Sequence, residues 1–299
     1  MKSKSMRKVA CMALALAGSL MLAACASTGG EKLTMNTNGK KGILVISFGT
    51  SYPETRAVTI DACEQKIAEA FPEYEVRRAF TSHIIIGILD KRDGIHVDAP
   101  AEALEKMYKE GFSEVLIQPL HIIPGEEYTG EVLAVARRYS GKFEKIAIGS
   151  PILSTTENYW KAVDAVSAQL PSLGTGEAVV LMGHGTEHPA NCAYAAFQYM
   201  LARKGLPVYV GTVEGYPALD DVIDLLHRDH ISKVTLMPFM VVAGDHATND
   251  MAGDEDDSWK SILTKEGFTV DVYLHGLGEN SIIQNMYIDN LHSAEVINE

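Results

Sequence analysis

The sequence predicts an α/β protein of two duplicated Rossmann-like halves, each built on a parallel four-stranded sheet, closing around a central cleft. Three observations carry that expectation. Short apolar runs alternate with helical patterns of about 10 to 20 residues, as in parallel strands joined by right-handed crossovers. The runs fall into two sets of four that echo each other, as a duplicated unit would. A chain of 299 residues, 46% of them hydrophobic and with mean hydropathy near zero, can bury a sizeable core, in one large domain or in two of roughly 120 residues each.

The first segment stands apart from that fold. Lys2, Lys4, Arg7 and Lys8 precede an apolar stretch over 9–22, and Leu22-Ala23-Ala24-Cys25 follows. Cations, a short apolar run and small residues together read as an export signal over 1–24. Its end is similar to a bacterial lipobox, in which the cysteine becomes the lipidated first residue; the apolar run is short for a membrane span of roughly 20 residues. Residues 25–40 then read as a flexible, lipid-proximal tether. The protein is therefore expected outside the cytoplasm, as a membrane-anchored lipoprotein or in the periplasm, meeting the membrane through its lipid alone.

The N-terminal α/β half is expected over 41–172, with strands at 42–48, 75–80, 114–120 and 145–149. The C-terminal half, 173–299, has strands at 178–182, 207–213, 233–239 and 269–274. The junction falls in a Pro/Gly/Ser segment, 171–176. Ser47-Phe48-Gly49-Thr50 echoes Gly183-His184-Gly185-Thr186, Gln118-Pro119 echoes Met237-Pro238, and Gly125-Glu126-Glu127 echoes Gly244-Asp245-His246. The last helices begin alike, at Glu157-Asn158 and Glu279-Asn280. In this alignment Phe48 occupies the place of His184, and Glu127 that of His246. The halves differ at the carboxyl ends of strands, where open α/β sheets hold their ligands.

Charge and composition exclude some functions. The net charge is −13, and loss of the four cations at the N-terminus would take it to −17, which argues against a nucleic-acid partner. An acidic surface is compatible with attracting cations. With Cys11 in the signal and Cys25 as the lipid site, Cys63 and Cys192 remain, in the first helical region of each half; the compartment permits a disulfide, but free buried thiols are the expected state. No Gly-rich dinucleotide fingerprint follows the first strand, the segment from Ser47 to Ser51 lacks the lysine of a phosphate loop, and Ser51 has no His/Asp partner set.

The residues that carry chemistry lie mostly in the second half. His184 and His246 each follow an apolar run, so both imidazoles should emerge at the carboxyl edge of one sheet as a metal-site candidate. Glycines beside His184 let backbone and ligand approach closely and leave the ring open. Asp245 or Asp250 is placed to hold the second ring nitrogen of His246, which otherwise reads as a loop histidine capping a helix near Asn249. Glu214, at a strand end, serves either as a third metal ligand or proton acceptor, or as a cap for the helix after Pro217; two His and one carboxylate suit Co, Fe, Ni or Zn. Glu126 and Glu127 would face the histidines across the cleft and could move protons, one of the pair being exposed. The run from Asp254 to Asp257 reads as a solvated lead into a helix at Ser258. Of the other histidines, His121 and His188 lie close enough to matter.

These segments resemble the anaerobic cobalt chelatases of the CbiK type. The resemblance runs from about Lys41 to the C-terminal helix, through Ile46-Ser47-Phe48-Gly49-Thr50-Ser51, the stretch from Leu120 to Tyr128, Met182-Gly183-His184-Gly185-Thr186, Val213-Glu214-Gly215-Tyr216-Pro217, and the long stretch from Ala243 to Lys260. It implies a class II chelatase-like fold and a lyase that inserts Co²⁺, with Fe²⁺ or Ni²⁺ as alternatives, into a sirohydrochlorin-like tetrapyrrole during cobalamin synthesis. It implies metal at His184, Glu214 and His246, proton acceptance by His184 with Glu126 or Glu127 in the active site, and tetrapyrrole contact at Phe48, Gly49, Thr50 and Ser51. A homo-oligomer is compatible with it. The biosynthetic relatives are cytoplasmic, whereas this chain reads as exported. Two alternatives therefore stand beside it: an extracytoplasmic lipoprotein that captures haem, metal or tetrapyrrole for transport, and, below that, a zinc-dependent hydrolase.

Overall fold

A computed structural model describes residues 39–297. The expected export signal and the expected tether up to residue 38 fall outside them. Along the described chain the first lobe comprises β1 (Lys40–Ser47), α1 (Pro53–Val58), α2 (Ile60–Ala70), β2 (Glu75–Phe80), α3 (His83–Ile88), α4 (Pro100–Lys109), β3 (Phe112–Pro119), α5 (Ala134–Arg138), β4 (Lys145–Ile148) and α6 (Thr156–Gln169). The second comprises β5 (Glu177–Gly185), α7 (Cys192–Arg203), β6 (Val208–Glu214), α8 (Leu219–Arg228), β7 (Lys233–Pro238), α9 (Trp259–Lys265) and β8 (Thr269–Val272), followed by α10 (Ser281–His292) and β9 (Glu295–Val296).

All eight expected strands form, with ends within a few residues of those read from the sequence. They were legible because a parallel strand covered on both faces is a near-continuous apolar run; Ile43, Leu44, Val45 and Ile46 of β1 are all essentially inaccessible. The duplication is also real at the level of topology. The first sheet has the order β2-β1-β3-β4 and the second β6-β5-β7-β8, the same order in both lobes. In each, the leading strand lies between its second and third strands, so the ends of β1 and β5 are the switch points where such sheets open a crevice.

The first sheet is not four-stranded, however. β9 adds a fifth strand antiparallel to β4, pairing Ala147 with Val296 and Ile148 with Glu295. The helix before it crosses with it: α10 packs on α2, α6 and β3 of the first lobe, while α6 packs against α7 of the second. A half running unbroken over 173–299 is therefore not how the chain packs. Buried amides fix the exchange. Asn158 Nδ2 donates to Asn290 Oδ1 at 3.0 Å, Asn290 Nδ2 to the Ser150 carbonyl at 2.8 Å, and Asn280 Nδ2 to the Ala165 carbonyl at 3.0 Å. Around them one apolar core runs through both lobes, from Ile43 and Leu116 through Ile67, Val163 and Tyr287 to Phe197, Leu181 and Phe239. Each such side chain contributes about 1.5–3 kcal/mol of burial. Separate clusters fill the outer faces of the two sheets. Among the described residues no helix is long and apolar enough to cross a membrane.

Candidate metal and proton-transfer site

His184 is the penultimate residue of β5, at the switch point of the second sheet. The glycines beside it answer to packing more than to access for a ligand. A Cβ on Gly183 would stand 2.4 Å from the ring of Tyr194, and Gly185, at φ +81°, pairs so closely with β6 that a Cβ there would meet the Glu214 carbonyl. Tyr194 thus lies beneath the histidine, buried; burial pushes its hydroxyl up to about 12, and the backbone of Gly185 and His184 facing its oxygen pulls the other way.

The imidazole itself is half-buried, with Nδ1 2.9 Å from the Gly185 carbonyl. A carbonyl only accepts, so Nδ1 carries the hydrogen and Nε2 keeps its lone pair. His246 repeats the arrangement. Its Nδ1 lies 2.5 Å from Asp250 Oδ2, which again leaves Nε2 open, and the carboxylate orients the ring as in metal sites. Of the two orienting groups expected, Asp250 is the one used; Asp245 instead accepts from Tyr52 Oη at 3.2 Å and from Asn249 Nδ2 at 2.9 Å. The two rings stand 4.8 Å apart, centroid to centroid, at 84°. His246 makes no cap bond to the π-helical turn 247–251 that follows it.

Glu214 ends β6 opposite Gly185, and its side chain is exposed. It does not cap α8, whose N-terminal box is formed by Asp221 and the Ala218 amide. Nor does its carboxylate join the imidazoles: among the described residues no three His, Cys, Asp or Glu side chains are gathered at metal-holding geometry. Two of the three expected ligands are together, and the third is adjacent by backbone only.

On the first lobe, Phe48 directly follows β1 as an exposed ring, 49% accessible, while Gly49 and Thr50 are buried and Ser51 is half-buried. Gly49 sits at φ +97°, where a Cβ would strike the Phe80 ring. The loops of the two lobes face each other. A Cβ on Gly244 would lie 3.9 Å from Thr50 Oγ1, and one on Gly125 would lie 3.8 Å from Thr186 Cγ2. Glu126 is the exposed member of its pair. Glu127 is 40% accessible, with Oε2 3.3 Å from Nε2 of His121.

His188 caps a short 3₁₀ turn, its Nδ1 accepting from the Ala190 amide. In the acidic run, Asp254 and Asp256 pair with Lys260 and Lys265, and Ser258 caps α9. Both remaining cysteines are free, but only Cys63 is buried; Cys192, at the first turn of α7, is exposed. Tyr52 and Tyr194 carried no signal in the sequence beyond following a strand end by a few residues.

Two sheets of one topology, each with a switch point at the cleft, and paired imidazoles with free Nε2 atoms define a protein of the chelatase fold class. The solved structure of SirB from Bacillus subtilis with Fe³⁺ superposes with a TM-score of 0.57 at 17% identity, over 85% of this chain and 95% of that one. Residues 41–296 match the cobalt chelatase (CbiK) family. The sirohydrochlorin cobaltochelatase of Salmonella typhimurium is 44% identical over 255 residues, 85% of this chain and 96% of that protein. The sirohydrochlorin cobaltochelatase CbiKC of Nitratidesulfovibrio vulgaris is 36% identical over 260 residues, 85% of this chain and 90% of that protein. The chain belongs to the CbiK cobalt chelatase family.

Proposed function

We propose that the protein is a sirohydrochlorin cobaltochelatase, a lyase that inserts Co²⁺ into the tetrapyrrole with release of two protons, as in cobalamin biosynthesis. The observation that carries this reading is the pair of imidazoles, His184 and His246, with both Nε2 atoms free at the switch point of the second sheet. The identity to named cobaltochelatases over 85% of the chain supports the metal and the substrate. Fe²⁺ or Ni²⁺ suits the same nitrogen donors.

The reaction needs few parts. A dication must be held loosely, stripped of water, and passed to four pyrrole nitrogens as two N–H bonds break. His184 and His246 hold the ion through Nε2, and Glu214 completes the set once its side chain turns inward from the end of β6. Phe48, with Gly49, Thr50 and Ser51, offers the macrocycle an aromatic edge on the opposite lobe. Glu127 faces the reacting nitrogens as a proton acceptor. We place the enzyme outside the cytoplasm, held by a lipid on Cys25; the sequence over 1–25 supports this, and mass spectrometry of the mature N-terminus tests it.

The deciding experiment follows the absorbance of sirohydrochlorin with Co²⁺ and purified protein. Wild type is expected to metallate catalytically, and a His184→Ala, His246→Ala double mutant to fall to the uncatalysed rate. Equal rates would overturn the reading, and stoichiometric capture without turnover would replace it with the transport lipoprotein.

A further inference from the structure

His121 is the one histidine near the cleft with no structural employment. Its side chain is only 10% accessible, and both ring nitrogens are buried without a hydrogen-bond partner. A buried polar group left unpaired is costly to the fold. The second lobe shows that the fold does not require it, because the alignment of Gly125-Glu126-Glu127 with Gly244-Asp245-His246 places Met240 at the same point. Among the described residues its one ion-pair partner is the Glu127 carboxylate, 3.3 Å from Nε2 but not aligned for a hydrogen bond. Glu127 is itself half-accessible, on the loop whose Gly125 abuts Thr186, two residues beyond His184.

There is also a chemical need. Two protons leave the macrocycle as the cation enters, and a His184 whose Nε2 lone pair holds the metal cannot accept either of them at the same moment. An acceptor on the other lobe, which binds no metal, removes that conflict.

We propose that His121 is a positioning and relay residue behind Glu127, forming with it the first lobe's proton-accepting pair; this rests on the chelatase reading above. A pyrrole N–H breaks, its electron pair stays on nitrogen for the incoming cation, and the proton forms an O–H bond on Glu127. That bond then breaks as the proton passes to Nε2 of His121, which restores the carboxylate for the next transfer. The second pyrrole proton then stays on Glu127; once the metallated product has left, the accessible Glu127 carboxyl releases it to water, and the His121 proton follows through the restored carboxylate.

The test uses the mature protein with sirohydrochlorin and Co²⁺. His121→Met, the residue the sister lobe carries, is expected to lower kcat about 100-fold, the scale of a lost proton-transfer group, with KM within about twofold and Co²⁺ affinity unchanged. His121→Gln can bond to Glu127 but cannot carry a proton, so it should be as slow. A His121→Met, Glu127→Gln double variant should be no slower than the slower single, as for groups acting in one path. Wild-type kcat in either His121 variant, or losses that multiply in the double, would overturn the relay. Wild-type protein that binds Co²⁺ but never metallates would instead overturn the chelatase reading beneath it.

Discussion

The two lobes use one backbone for two purposes. In each, a glycine with positive φ lies at the carboxyl end of the leading strand, Gly49 just past β1 at +97° and Gly185 as the last residue of β5 at +81°. The residue after the third strand donates to the leading strand, Leu120 N to the Ile46 carbonyl and Phe239 N to the Met182 carbonyl, both at 2.7 Å. A π-helical turn follows, 128–133 in one lobe and 247–251 in the other, with Thr129 and Thr248 hydroxyls bonding back to the carbonyls of Gly125 and Gly244. π-Helical turns occur disproportionately at functional sites. Onto that shared frame the first lobe sets Phe48 and Glu127, and the second His184 and His246. Position comes from the fold and chemistry from a few side chains; in the function proposed above, divergence of the duplicated frame assigns one loop pair to a planar ring and the other to a cation.

Making the second lobe resemble the first should do the most harm. His184→Phe is expected to lower kcat/KM by about 1,000-fold, on the scale of removing a group that holds the cation as it is transferred, measured by sirohydrochlorin metallation. Phe48→Ala, the matching change on the first lobe, should act chiefly on KM. If the two losses are alike in kind, the division of labour is wrong. Next in size, Asp250→Asn removes the carboxylate that orients His246 and should weaken Co²⁺ binding about 10- to 100-fold, read by calorimetry. The comparable bond to His184 comes from a main-chain carbonyl that no substitution deletes.

The strand pattern was legible because burial on two faces writes itself as apolar runs, and the imidazoles because a histidine after such a run has few other places to go. The exchange of α10 was not. An amphipathic helix announces which face it buries but not against what, and the deciding contacts, Asn158 to Asn290 and Asn280 to Ala165, are single amides far apart in sequence. β9 is two residues long and carries no period. The glycines around His184 read as sites of close backbone and ligand approach; the backbone approach is there, Gly185 against the Glu214 carbonyl, while beside Gly183 the Tyr194 ring takes the space. The outward side chain of Glu214 lies beyond any sequence rule.

Gly183 aligns with Ser47, whose side chain is buried. Gly183→Ser should therefore destabilise by about 1–3 kcal/mol through overpacking on Tyr194, while Ser47→Gly should cost about 1 kcal/mol or less, both read by denaturant unfolding. Equal effects would deny that Tyr194 shapes the histidine loop.

The smallest effect is electrostatic. Asp229, bonded by Arg228 and by Tyr209 Oη at 2.8 Å, is held down to about 2. A depressed carboxylate stabilises the fold above its unfolded value near 4 and loses that contribution as pH falls through about 2. The group is well exposed, so solvent screens most of it. Asp229→Asn should accordingly flatten the acid limb of melting temperature between about pH 4 and 2 by only a degree or two, and leave metallation untouched.

The crossing of α10 and β9 bears on how the chain is made. Because β9 follows the whole second lobe in the chain, the first sheet stays unfinished until that lobe has been synthesised. Neither lobe is then an autonomous module to be lent to other proteins, and loss of β9 would be felt in the lobe that was made first.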